Sequence, residues 1–154
     1  MINHKVFVLV EDLQVYRQVL SQMLQKEYPG CEIHERTNGE DVLELCKTVE
    51  PDLVITDLKM PVKDGYHVLK QLFKLSSDYP VMVLSAYATI KTVSKVTLTG
   101  CLGFVDKGSD LKTISDGISA VLAGRPYYSP YMQSLIKDYF YSVKNNDLDA
   151  NSNN

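Results

Sequence analysis

The sequence predicts an α/β fold: a doubly wound, five-stranded parallel sheet with an extra C-terminal helix. Three observations predict it. Short apolar runs alternate five times, within residues 5–124, with segments whose apolar residues recur every three or four positions. The runs at 5–10, 53–55 and 80–84 lack in–out alternation, as expected of strands covered on both faces by helices. Four of the five runs then end in an acid, a hydroxyl or a lysine, where open α/β sheets place their chemistry.

The first strand, Lys5 to Val10, ends in Glu11 and Asp12. The following helix carries Tyr16, Val19, Leu20, Met23 and Leu24 at helical spacing and is stopped by Pro29-Gly30. Glu32-Ile33-His34-Glu35 is a short, mostly polar strand, suited to a sheet edge. A second helix is expected over 39–49, with Val42, Leu45, Cys46 and Val49 inward and Pro51 beyond its end. The third strand, Leu53-Val54-Ile55-Thr56-Asp57, is the centre of the chain. It breaks at Pro61, and Asp64-Gly65 makes a turn into a helix with Val68, Leu69, Leu72, Phe73 and Leu75 inward.

Pro80 to Ser85 forms the fourth strand, followed by a helix over 89–99 rich in Thr, Val and Ile. β-Branched residues lose rotamer freedom in a helix, so this one is expected to be marginal on its own. Gly103 to Asp106 is the fifth strand, with Lys107 at its end. A helix over 110–123 has Ser109 or Asp110 as N-cap and Gly124 as stop, with Leu111, Ile114, Ile118, Val121 and Leu122 inward. Residues 1–125 therefore form one domain and 126–143 a C-terminal extension with a linker helix. The polar, Asn-rich segment 144–154 reads as a disordered linker or tail.

Composition narrows the function. The chain has 154 residues, 45% hydrophobic and 23% charged, with a net charge of −3 that gives no reason to expect nucleic-acid contact by this segment. Cys31, Cys46 and Cys101 have no C-x-x-C spacing, and His4, His34 and His67 have no partners at ligand spacing. No apolar run approaches a membrane span and no leader is visible, so a soluble, cytoplasmic protein is expected.

In a parallel sheet the carboxyl ends share one edge, so Glu11, Asp12, Asp57, Ser85 and Lys107 can converge. Three crowded carboxylates suit a hard cation with oxygen ligands, for which Mg²⁺ is the natural candidate. A lysine and a hydroxyl opposite them offer a charge and a hydrogen bond to a phosphoryl oxygen. Together they describe a phosphoryl-transfer site with a covalent aspartyl phosphate.

Residues 5–124 resemble the receiver domains of two-component response regulators. The motifs are Glu11-Asp12, the run Asp57-Leu58-x-Met60-Pro61-x-x-Asp64-Gly65, Ser85-Ala86, and Gly103-Phe104-x-x-Lys107, in order. The resemblance implies a flavodoxin-like, CheY-like (βα)5 fold in a bacterial phosphoprotein. Asp57 is then the phosphoacceptor, served by a sensor histidine kinase or a phosphotransfer protein. Asp12, Asp57 and the backbone carbonyl of Lys59 would bind Mg²⁺, and Glu11 would act through a metal-bound water. Ser85 and Lys107 would bind the phosphoryl group, and Phe104 matches the aromatic that swings inward behind Ser85. Lys59 and Tyr87, two residues beyond Asp57 and Ser85, flank the route of hydrolytic water and are expected to tune phosphoryl lifetime.

Lys107-Gly108-Ser109, without the Pro that follows the lysine in many receivers, and Gly124-Arg125-Pro126-Tyr127-Tyr128-Ser129-Pro130 look like the subgroup joined to LuxR- or NarL-type helix-turn-helix domains. Any DNA contact, and transcription regulation with it, would come only through such a domain, which this chain lacks. Homodimerisation on phosphorylation is a further expectation. The reading is a signalling switch, not an enzyme beyond its own phosphoryl transfer and dephosphorylation. Its alternatives are a stand-alone receiver or pseudo-receiver acting as a protein-binding module, and a haloacid-dehalogenase-type aspartyl phosphatase. The phosphatase would carry a second Asp where Lys59 stands. A dinucleotide-binding domain fails for want of G-x-G-x-x-G after the first strand.

Overall fold

The computed structural model of the chain describes residues 4–86 and 88–152. Strands β1 (Val6–Val10), β2 (Glu32–Arg36), β3 (Leu53–Asp57), β4 (Val81–Ser85) and β5 (Gly103–Asp106) alternate with helices α1 (Gln14–Glu27), α2 (Val42–Val49), α3 (Gly65–Leu75), α4 (Ile90–Leu98) and α5 (Leu111–Leu122). A sixth strand, β6 (Tyr127–Tyr128), and helix α6 (Pro130–Ser152) follow. All pairings are parallel, in the order β2-β1-β3-β4-β5-β6. The polar strand β2 lies at an edge, as its sequence predicts.

Period-two alternation sorts the strand residues onto two faces. Phe7, Leu9, Leu53, Ile55, Met82, Leu84 and Val105 pack against α1 and α5, with Leu20, Leu24, Ile114 and Ile118 completing that layer. Val8, Val10, Val54, Val81, Val83 and Phe104 face the other way, onto Val42, Leu69, Leu72, Val93, Val96 and Met132. Fully burying each such side chain contributes about 1.5–3 kcal/mol. The sheet is therefore the rigid frame that holds its carboxyl edge.

Four expectations change. The sheet has a sixth strand, because Tyr127 and Tyr128 pair with Gly103 and Phe104; two residues are too short to carry a period. Helix α2 starts at Val42, not 39: Gly39 donates its N–H to the Lys63 carbonyl instead of entering a helix. Val19, Leu75 and Leu111, expected inward, are 39%, 48% and 51% exposed, since no element covers their side of the helix.

Helix α6 continues to Ser152, through most of the 144–154 segment expected to be disordered. No Gly or Pro follows Pro130, and Asn costs a helix well under ~1 kcal/mol per residue, so nothing local stops it. Its start is firmly set. Pro130 takes the first helical position, Met132 is fully buried, and Ser129 is buried beneath it.

Candidate functional site

Strand order reverses between β1 and β3, and the site lies at that crevice. Glu11 follows β1, and its backbone N–H extends the β1–β2 ladder by bonding the Arg36 carbonyl at 2.9 Å. Asp57 is the last residue of β3, and Leu58 N–H donates to its Oδ1 at 2.7 Å. Lys107 follows β5, its N–H continuing the β4–β5 ladder to the Ser85 carbonyl at 2.9 Å. Glu11, Asp57 and Lys107 thus carry on the alternation of Leu9, Ile55 and Val105, toward the α1–α5 face.

There they meet. The Lys107 ammonium lies 2.7 Å from Glu11 Oε2 and 2.9 Å from Asp57 Oδ2. All three side chains are nearly buried: Lys107 is 8% exposed, Glu11 2% and Asp57 8%. Glu11 Oε1 also accepts from Leu13 N–H at 3.1 Å, and the Arg17 guanidinium caps the Glu11 carbonyl at 2.7 Å. Burial pushes the Glu11 carboxyl above its ordinary range against the opposing pull of Lys107. For Lys107 burial acts downward, but the hydrogen bonds and charges of Glu11 and Asp57 outweigh it and leave its pKa raised. The ammonium is therefore firmly charged.

Glu11, Asp12 and Asp57 each present a carboxylate oxygen, all within 4.8 Å of one another, and Asp12 is the most exposed of the three. Three hard oxygen donors at one spot fit the donor set of a divalent cation such as Mg²⁺. Lys59 is exposed at the rim, two residues beyond Asp57. Ser85 ends β4, 1% exposed, on the α4 side of the sheet. Phe104 is wholly buried among the α4-side core residues. Tyr87 lies outside the described residues. The acids and Lys107 thus stand together, with Ser85 beside them on the opposite face.

The loop from β3 to α3 is held tightly against the site. Gly65 N–H bonds the Leu58 carbonyl at 2.9 Å, and Asp64 Oδ1 caps α3 through His67 N–H at 3.0 Å. A Cβ on Gly65 would come within 2.0 Å of the Asp57 carbonyl oxygen, so glycine is required by close approach.

Sequence reasoning missed two features. Asp106 Oδ1 accepts from Ser109 Oγ at 2.9 Å and from Ser129 Oγ at 2.6 Å, tying the start of α6 to the residue beside Lys107. The Ser-Pro pair at 129–130 could have signalled the helix start, but nothing local reveals Asp106 as the partner of Ser129. Tyr16, read only as an inner-face residue of α1, lies with its ring under the Lys107 ammonium, 4.7 Å from the centroid.

The comparisons with known proteins point to one family. The family model described as the response regulator receiver domain matches residues 7–119. The transcriptional regulatory protein DegU of Brevibacillus brevis is 26% identical over 93% of this chain and 61% of its own length. Sporulation initiation phosphotransferase F of Bacillus subtilis is 28% identical over 79% of this chain and 96% of its own. A solved two-component response regulator of the LuxR family from Aurantimonas sp. SI85-9A1 superposes with a TM-score of 0.83 at 22% identity, covering 90% of this chain and 99% of that one. This chain spans about three fifths of several of the regulators it matches. No described helix is long and apolar enough to cross a membrane. The chain belongs to the receiver domain family of two-component response regulators.

Proposed function

We propose that Asp57 is the phosphoacceptor of this receiver and that the adjoining residues turn its phosphorylation into a conformational signal. The observation that carries the proposal is the buried Lys107 ammonium between the Glu11 and Asp57 carboxylates. An Asp57 carboxylate oxygen attacks phosphorus, the phosphorus–nitrogen bond of a phosphohistidine donor breaks, and the imidazole leaves. The donor is a sensor histidine kinase or a phosphotransfer protein. Lys107 meets charge developing on the phosphoryl oxygens, and the Ser85 hydroxyl donates to one of them.

Asp12, Asp57 and the Lys59 carbonyl would hold a Mg²⁺ ion, with Glu11 acting through a water. When bound, the ion supplies neutralisation of phosphoryl charge. Lys59 and Tyr87 set the lifetime of the acyl phosphate by screening it from water, so replacing them changes its decay without abolishing its formation. An unaltered decay rate refutes that role.

The signal leaves through α4. Five of its nine residues are β-branched, and only Val93 and Val96 are buried. A helix of this kind gains little from its own sequence and switches readily. Phe104 packs in the same core as Val93 and Val96. Phosphorylation then favours homodimerisation or contact with a target, and DNA is reached only through an attached helix-turn-helix domain. Hydrogen exchange with and without a phosphate mimic tests this, and unchanged protection over 89–107 rules it out. The decisive experiment is intact mass after incubation with acetyl phosphate. One Mg²⁺-dependent phosphoryl adduct, absent in Asp57→Asn, is expected; no adduct in the wild type refutes the reading.

A further inference from the structure

The ammonium of Lys107 has three N–H donors, and the described oxygen partners account for two. A further described neighbour is the face of Tyr16, 4.7 Å away. This is within the range of a cation–π contact, which is strongest where water is excluded. The Lys107 side chain is only 8% exposed, so the condition holds. The N–H of Lys107 fixes its backbone to the Ser85 carbonyl at 2.9 Å, and the side-chain contacts place its ammonium.

The hydroxyl of Tyr16 makes the choice of residue informative. Its oxygen is buried and has no hydrogen-bond partner among the described residues. A buried hydroxyl without a partner contributes no hydrogen bond to the site, so what Tyr16 brings to Lys107 is its ring. Burial, reinforced by the negative charges of Glu11, Asp57 and Asp106, pushes this phenol up to about 12, so it stays neutral. What the position presents to the site is an aromatic face.

Resting on the phosphoacceptor reading above, we propose that Tyr16 is a positioning residue for phosphoryl transfer. Its ring is a seat that keeps the Lys107 ammonium at the site while the carboxylate contacts are exchanged for phosphoryl oxygens. Once Asp57 carries the phosphoryl group, one of its oxygens is bonded to phosphorus and the negative charge lies further out. Lys107 has to follow it. A carboxylate hydrogen bond is directional and must break for that movement. The ring attracts a cation across its whole face, so the ammonium moves outward without losing this contact.

The test uses the full chain with acetyl phosphate and Mg²⁺, where the donor P–O bond breaks and acetate leaves. Tyr16→Leu is expected to lower the phosphorylation rate at saturating acetyl phosphate by about tenfold, with little change in the half-saturating concentration. Tyr16→Phe keeps the ring and is expected to retain the wild-type rate. A Tyr16→Phe as slow as Tyr16→Leu overturns the seat in favour of the hydroxyl, and a Tyr16→Leu at wild-type rate overturns it outright. A second readout is independent of phosphoryl transfer and of whether the leucine variant folds. The Lys107 ε-methylene protons of wild-type protein should be shifted upfield by the ring current. Ordinary lysine shifts there overturn the proposal. Absence of any wild-type adduct instead strikes the phosphoacceptor reading and leaves the ring-current test standing.

Discussion

Gly65→Ala places one methyl group against the phosphoacceptor's own backbone. The new Cβ would lie 2.0 Å from the Asp57 carbonyl oxygen and 2.8 Å from Leu58 Cα. Both obstacles are main chain, so no rotamer change relieves them. Even a tight contact requires the α3 N-terminus and the end of β3 to separate by about 1 Å. Forcing that into a packed backbone costs about 3 kcal/mol, and the better helix propensity of alanine returns at most about 1 kcal/mol. The net loss is about 2 kcal/mol, or roughly 6 °C in Tm for a domain of this size. Catalysis suffers separately, because a ~1 Å misplacement of a reacting group costs about a hundredfold in rate. Urea denaturation and the acetyl phosphate rate, followed by intact mass, measure the two effects. Gly100→Ala is the control: its φ of +83° makes alanine strained, but open space surrounds its Cβ. It should lose about 1 kcal/mol with no change in phosphorylation rate. A Gly65→Ala protein with wild-type stability and rate would refute the close approach.

Other consequences follow from particular residues. Val62 is 69% exposed and holds φ +67°, a left-handed conformation that a β-branched residue resists. Val62→Asn should therefore raise stability by about 1 kcal/mol in urea, and a lower midpoint would contradict the strain. The raised pKa of Glu11 means the folded chain binds its proton more tightly than the unfolded chain. Its contribution is fully present below the unfolded value near 4.5 and is lost as pH rises through the higher folded value. The stability of wild type relative to Glu11→Gln should thus decline as pH rises above 4.5, and a rising difference would reverse the sign of the shift. Burial pushes the Cys101 thiol up to about 12 and the Cys46 thiol up to about 11, while Cys31 is only half-buried. Iodoacetamide at neutral pH should label Cys31 first and the other two only on unfolding, as mass spectrometry would show.

Most of the fold was legible because its signals are local. The strands end at Val10, Asp57, Ser85 and Asp106, as the runs leading to Glu11, Asp57, Ser85 and Lys107 predict. Asp110 caps α5 by accepting from Thr113 N–H, as its position suggests, while Thr89, read as the first helical residue, caps α4 by accepting from Thr92 N–H. The misses on the helix faces have one cause. Val19, Leu75 and Leu111 satisfy helical spacing, but spacing names a face without saying how much of it a neighbour covers. Strand β6 is two residues long, and its pairing with β5 is set by the path after Gly124, whose φ is +73°.

The sequence by itself determined which residue types stand at the carboxyl ends of the strands, because strand-forming runs and the residues that break them are local. A parallel sheet then brings those ends to one edge. Only the tertiary structure decided how they engage. It put Glu11, Asp57 and Lys107 on the α1–α5 side and left Ser85 on the α4 side, through the strand alternation that continues past each last residue. It also put the ring of Tyr16 under an ammonium 91 positions away and joined Asp106 to Ser129. Those contacts depend on the register of strands and the angle of packed helices, which no stretch of sequence encodes alone.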